Sequence, residues 1–362
     1  MMKTTDIMIL VVNTGSTSTK LAVYKDGDRL FEQSLDHTNT ELEQYKSILD
    51  QVGMRKSAVI AFIEEKGLNI AYLDVIASRG GSFAVVEGGG YVIDETIMEL
   101  AGAARPGFRV SPSWLAALIS GQLSREFEIP AYFYNAVRTD EMCPLARYSG
   151  ISLVERRPAG HPLNCKEIGR RSAEKMGKKF EDSSFIVCHM GGGISTELHY
   201  KGRFIDCIGY PEGAFTPERA GAVPTNDMLD LCFSGEHTQE ELEKYLRGSG
   251  GLVDYLGTNS TLEVQKRISG GDSKAEEVYR AMAYQIAKGI GALAATVKGD
   301  VDRILLTGGI AGSDLFTGWI IEYVQFIAPV EVYPGTYEME ALAHGILRVY
   351  RGEETAKVYT KT

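Results

Sequence analysis

Residues 13–20, Asn-Thr-Gly-Ser-Thr-Ser-Thr-Lys, carry the groups that hold a polyphosphate: small hydroxyl donors, a glycine that lets the backbone come close, and one point cation. Asn13, Gly15, Ser16, Ser18 and Lys20 are the candidate contacts. An apolar run, Ile7 to Val12, leads into this stretch, and Leu21 to Tyr24 leads out to the turn Asp26-Gly27, so the pattern predicts strand, polar corner and returning strand. An ordinary Ser/Thr-rich hairpin turn has the same outline. No Gly-x-x-x-x-Gly-Lys-Ser/Thr occurs, and the lysine sits on the returning strand, so this is not a Walker loop. The pattern then comes a second time. Residues 185–201, FIVCHMGGGISTELHYK, again read as strand, corner and strand, and a shift of 176 positions puts Asn13 on His189, Gly15 on Gly191 and Tyr24 on Tyr200. A long-range repeat of this kind sets the architecture. Two corners carrying His189, Gly191, Gly192 and Gly193 on one side and Gly15 on the other could grip one phosphate chain from both sides.

Two arginines and a third glycine-rich segment join these corners. Tyr72 to Ala77 predicts a buried strand that delivers Arg79, followed by Gly80-Gly81, at its carboxyl end, where open α/β sheets expose ligand-binding groups. Residues 206–227 hold three prolines, three glycines and little periodicity, and so predict a long functional loop whose only cation is Arg219. Arg303 to Leu306 predicts a strand running into Thr307-Gly308-Gly309-Ile310-Ala311-Gly312-Ser313 and a helix from Asp314, a natural seat for a nucleotide.

The elements that position these groups follow from periodicity. Helices are predicted over 41–66, 112–127, 161–179, 238–246, 273–297 and 337–350, and strands over 31–35, 131–137 and 330–333. Lys166, Arg170, Arg171 and Lys178 read as a solvated basic stripe on the helix 161–179. The polar stretch 181–184 precedes the second corner and marks the expected domain boundary.

At 362 residues the chain can bury two cores, and 44% apolar with 24% charged residues is ordinary for a folded protein. A net charge of −10 without a long basic run argues against nucleic acid or an anionic membrane as partner. No apolar stretch approaches a membrane span and no signal-peptide pattern opens the chain. Five dispersed cysteines without Cys-x-x-Cys suggest neither a disulfide framework nor a zinc site, and a cytoplasmic location is expected.

Six segments in order, NTGSTSTK (13–20), SRGG (78–81), CHMGGGIS (188–195), EGAFTPERAG (212–221), LTGGIAGS (306–313) and EMEALAHG (338–345), make the chain similar to the acetate/butyrate kinase family, and within it to the butyrate branch. The resemblance covers nearly the whole chain. It implies an α/β fold of two duplicated actin-like (ribonuclease H-like) domains around an interdomain cleft: 1–182, completed by 338–362, and 183–337, with the adenosine site and a homodimer interface in the second. It implies closure about hinges near 181–184 and 334–340. It also implies transfer of the ATP γ-phosphoryl group to a small carboxylate, butyrate or isobutyrate, with ATP/ADP and Mg²⁺; an acetate, propionate or branched-chain acid kinase, or an ATPase of the chaperone and filament type, are the alternatives. By residue match, Asn13 and Glu340 position the metal, Lys20 with Ser16 and Ser18 face the phosphates, and His189 to Gly193 form the second phosphate loop. Gly308, Gly309, Gly312 and Ser313 hold adenosine, and Arg79 with Arg219 flank the carboxylate and the transferring phosphoryl. The chain departs from the family at three points: Asn135 replaces an aspartate, with Asp140 nearby; Cys165 replaces a histidine, while His161 matches the preceding one; and an Asp-x-Arg element on the nucleotide side is only Ser260-Thr261-Leu262.

Overall fold

Strand β1 (Met8–Thr14) is apolar through its middle and buried beyond its first residue, which suits a strand with neighbours on both sides. In this computed structural model, which describes residues 6–104, 108, 110–210 and 212–360, β1 pairs antiparallel with β2 (Ser18–Lys25), and β2 with β3 (Asp28–Asp36). β3 alternates exposed and half-buried residues and carries four charges, as an edge strand should. On its other side β1 runs parallel to β4 (Val75–Arg79); β5 (Gly90–Val92) and β6 (Ala131–Tyr134) complete the sheet in the order β3-β2-β1-β4-β6-β5. Helices Val52–Glu65 and Ser113–Phe127 bury Val59, Phe62, Trp114 and Leu115 in the core of this sheet, and the C-terminal helix Glu338–Tyr350 packs on β1, β4 and β6.

The second unit repeats the opening of the first. β7 (Ser184–Met190), β8 (Ile194–Tyr200) and β9 (Arg203–Ile208) form the same antiparallel meander, and β7 begins and ends 176 positions after β1. Both meanders turn on a pair of left-handed residues, Asp26-Gly27 and Lys201-Gly202, the two-residue turn whose twist matches the strands. Parallel β10 (Arg303–Gly308) and β11 (Val330–Pro334) give the order β11-β10-β7-β8-β9. The long helix Ser273–Thr296 covers this sheet with Ala275, Met282, Ala283 and Ile290 buried.

The compact units are Met1–Asp140 with Tyr337–Thr362, and Glu141–Thr336. The boundary therefore falls at Asp140/Glu141 and Thr336/Tyr337, not at 182/183. Residues 141–182 belong to the second unit because the helix Pro162–Lys175 packs on β7, β8 and β10. Glu141 also accepts from Phe204 N (2.7 Å) and from Lys166 Nζ (2.8 Å), an ion pair that is almost entirely buried. Lys166 is thus no part of a solvated stripe. The expected helix 41–66 is two pieces, Asn39–Leu42 and Val52–Glu65, because Ser47 and Asp50 form a capping box that starts a new turn. The loop between β9 and the helix Thr225–Phe233 is long, as expected; its Pro211 lies outside the described residues.

Candidate active site

In the first unit, Asn13 faces Lys20 and Thr14 faces Thr19 across the ladder, leaving Gly15, Ser16 and Thr17 as the corner. Gly15 N donates to Ser18 O (2.8 Å), closing it. A Cβ on Gly15 would come within 3.1 Å of Ser18 Oγ, so a larger residue here would crowd that hydroxyl. Thr14 Oγ1 donates to Pro112 O (2.7 Å) and accepts from Ala116 N (3.1 Å), tying the end of β1 to the helix Ser113–Phe127. Ser16, Thr17 and Lys20 are exposed.

Asn13 Nδ2 donates to Glu338 Oε2 (3.0 Å), and the same carboxylate pairs with Arg79 at the end of β4. The Nε of Arg79 is buried without a partner among the described residues. The expectation for Glu340 needs correction: it points to Arg29, 3.7 Å away, because residues two apart lie on opposite faces of a helix. The acid beside Asn13 is Glu338. Asn135 is buried in a left-handed conformation (φ 40°), which asparagine tolerates, and its Oδ1 accepts from Gly89 N (2.8 Å). It ends β6 as a backbone lock. Asp140 donates its own N–H to Val86 O (2.8 Å).

In the second unit, Gly191 N donates to Gly193 O (3.0 Å), so β7 and β8 close on Gly191-Gly192-Gly193. Loop 212–221 is latched onto this corner: Thr216 Oγ1 donates to Gly192 O (2.8 Å) and accepts from Arg219 N (3.1 Å). That latch lays the Arg219 guanidinium over Gly193, where a Cβ would meet Nη1 at 2.7 Å. Gly308 holds φ 93° against the Met190 backbone, while Gly309 and Gly312 face space that a Cβ would not fill. Ser313 caps the helix Asp314–Val324 and donates to Gln265 Oε1 (2.7 Å), so its hydroxyl is engaged in structure.

Beside this corner lies a histidine pair. His161 and His189 stack at 4.0 Å with an interplanar angle of 16°. Their tautomers follow from proton accounting. Thr307 gives its proton to Gly335 O (3.2 Å), so it accepts from Asn164 Nδ2 (3.3 Å). The same amide donates to His189 Nδ1 (3.1 Å), leaving His189 with its proton on Nε2. Ser195 gives its proton to Glu197 Oε1 (3.1 Å), so it accepts from His161 Nδ1–H (2.9 Å). Glu197 and His199 are fully buried and paired at 3.0 Å. Burial would raise the Glu197 carboxyl, but the hydrogen bonds from His199 and His161 N outweigh it and bring it down to about 2. Burial pushes the Cys188 and Cys207 thiols up to about 12, and Cys165 well above its usual range.

Arg55, Asn164, Glu197 and Glu338 were missed as site residues. Arg55 had a signal: with Val52, Val59, Phe62 and Ile63 it makes a buried stripe at helical spacing, so a cation stands where an apolar residue is due. Glu197 is the one acid of the buried strand ISTELHY.

The acetokinase family model matches residues 146–318. Over 353 residues the chain is 42% identical to butyrate kinase 2 of Clostridium acetobutylicum, covering 97% of this chain and 99% of that protein. It is 41% identical to a probable butyrate kinase of Clostridium botulinum with the same coverage. The crystal structure of Porphyromonas gingivalis acetate kinase shares the fold with a TM-score of 0.78 at 16% identity, over 93% of this chain and 98% of that one. The two mixed sheets are the actin-like domains of that fold. Among the described residues no helix is long and apolar enough to cross a membrane.

Proposed function

This chain belongs to the acetokinase family, and from that premise we propose that it moves the γ-phosphoryl group of ATP to butyrate or isobutyrate, reversibly, giving the acyl phosphate and ADP. Likeness to butyrate kinases along almost the full chain carries this reading. A carboxylate is ionised at neutral pH, so its oxygen attacks phosphorus without a general base. The new P–O bond forms as the bond to the bridging oxygen breaks, and ADP leaves with that electron pair. The barrier is repulsion between anions and charge spread over the equatorial oxygens.

The residues suit that task. In the first unit the corner 15–18 with Lys20 offers phosphate-binding donors, and in the second Gly191–Gly193 with the Nε2–H of His189 offer a like set. Arg79, whose Nε has no partner among the described residues, and Arg219, spread over Gly193, present guanidinium forks to carboxylate and phosphoryl oxygens. Gly309 and Gly312 leave room for adenosine, and Gly308 makes the tight turn that leads to them. Asn13 and Glu338 offer the oxygen donors that Mg²⁺ takes together with phosphates and water, so they fit the ion; bound there, it offsets phosphate charge. Free thiols at all five cysteines support a cytoplasmic site. A homodimer through the second unit is supported by the helix Thr225–Phe233, which buries none of its residues and leaves Leu229 and Phe233 exposed. The test is ATP, Mg²⁺ and a C2–C6 acid series with hydroxylamine to trap the acyl phosphate. Hydroxamate rising with butyrate or isobutyrate is expected; hydrolysis indifferent to the acid would overturn the reading.

A further inference from the structure

Arg55 is fully buried beneath the first corner. Its guanidinium donates to Gly15 O (3.1 Å), Ser16 O (3.0 Å), Ser18 O (2.8 Å) and Thr19 Oγ1 (3.1 Å), and to Gln51 Oε1 from Nε (3.2 Å) and Nη2 (3.0 Å). Every acceptor is neutral, and among the described residues no carboxylate lies within ion-pairing distance. Glu41 is near enough to act on it through space only, and burial lowers its pKa from the usual arginine range. A buried charge is normally paired. Here it is solvated by dipoles and left without a counter-ion.

Those contacts also set the orientation of the corner. A trans peptide points its C=O and the following N–H to opposite sides. Drawing the carbonyls of Gly15 and Ser16 inward to Arg55 therefore turns the N–H groups of Ser16 and Thr17 outward. Neither N–H has an acceptor among the described residues, and both residues are exposed. Adjacent outward N–H groups make an anion nest.

We propose that Arg55 is a positioning residue of the phosphate site: it holds the corner with its amides facing out, and its unneutralised charge is balanced by the phosphates of the bound nucleotide. This rests on the reading of the corner as a phosphate seat. The neighbourhood fits the arrangement. Thr19 accepts from Arg55 and gives its proton to His37 Nε2 (2.9 Å). His37 Nδ1 then faces Glu41 at 3.8 Å. Burial and the Arg55 charge lower the His37 pKa, which keeps the ring neutral and adds no second buried cation.

Gln51→Glu separates charge from geometry, because it keeps an oxygen acceptor for Nε and Nη2 and supplies the missing carboxylate. The expected enzyme melts at or above the wild-type temperature, its KM for MgATP rises about fivefold or more, and its KM for the acid and its inhibition constant for adenosine, which has no phosphate, stay within twofold. An unchanged KM for MgATP in the folded variant overturns the proposal. Should Gln51→Glu not fold, Arg55→Lys takes its place: it keeps the cation and loses donors, and is expected to raise KM for MgATP and speed hydrogen exchange of the corner, while unchanged values overturn the proposal. Hydrogen exchange of wild-type residues 13–24 with and without MgADP tests the corner separately. Protection there with no effect of the variants defeats only the role of Arg55, whereas no protection defeats the phosphate seat itself.

Discussion

Gly193→Ala puts a methyl group where the Arg219 guanidinium now lies. The added Cβ would sit 2.7 Å from Nη1, 3.2 Å from Cζ and 3.4 Å from Nη2. Non-bonded carbon contacts settle at about 3.5–4.0 Å, so the guanidinium must retreat by roughly 1 Å. The obstacle is the far end of a flexible side chain, and Gly193 is not among the residues with positive φ, so folding loses little. Replacing a glycine in a compatible conformation can even add about 0.4–1 kcal/mol through the unfolded chain. Catalysis responds otherwise, because a misplacement of about 1 Å in a positioned group can cost about 10²-fold in rate. We therefore expect kcat for hydroxamate formation from butyrate to fall about 10- to 100-fold while Tm stays within a few degrees. Arg219→Lys, which retains a charge but not the fork, should fall by a similar factor. A Gly193→Ala enzyme with kcat within twofold of wild type would refute the argument that this glycine exists to seat Arg219.

Removing either guanidinium goes further: Arg79→Ala and Arg219→Ala should each lose about 10³-fold or more in kcat with the far-UV spectrum unchanged, the scale set by arginines that touch a transferring phosphoryl. Glu338→Gln should raise the Mg²⁺ concentration for half-maximal activity about tenfold, whereas Glu340→Gln, at a side chain turned to exposed Arg29, should leave it within twofold. Glu197 holds its proton only near pH 2 in the folded chain against about 4.3 unfolded, so its stabilisation is full above the unfolded value and is lost as pH falls toward 2. Glu197→Gln should accordingly cost about 3 kcal/mol at pH 7 in urea unfolding, and the gap to wild type should narrow on acidification.

Much of this architecture was legible because the two corners are short-range objects: an apolar run, a glycine and a left-handed turn fix strand, corner and strand locally, and the repeat shows in Asn13 and His189. Arg79 and Arg219 stand out in the sequence for the same reason, each being a lone cation beside glycines. Choosing Glu340 over Glu338 failed because both acids open one helix, and only packing on β1 and β4 decides which face turns inward. The domain boundary was misplaced because 181–184 is a polar break in sequence, while the contacts of Glu141 with Lys166 and Phe204 that assign 141–182 are long-range. Asn135 stands where the family has an aspartate; its φ and its bond to Gly89 give it a backbone task that no pattern of residue types reveals. Arg55 was hidden by its helix, where one cation in a buried stripe reads as a snorkelling side chain until the carbonyls above it are placed.

The central claim is that the polyphosphate seats on the hairpin corners. Diffraction from crystals grown with Mg²⁺ and a non-hydrolysable ATP analogue measures this directly. The account predicts phosphate oxygens within hydrogen-bonding distance of the Ser16 and Thr17 amides and of the Gly191–Gly193 backbone, with Asn13 and Glu338 toward the metal. Phosphates bound away from both corners would contradict it.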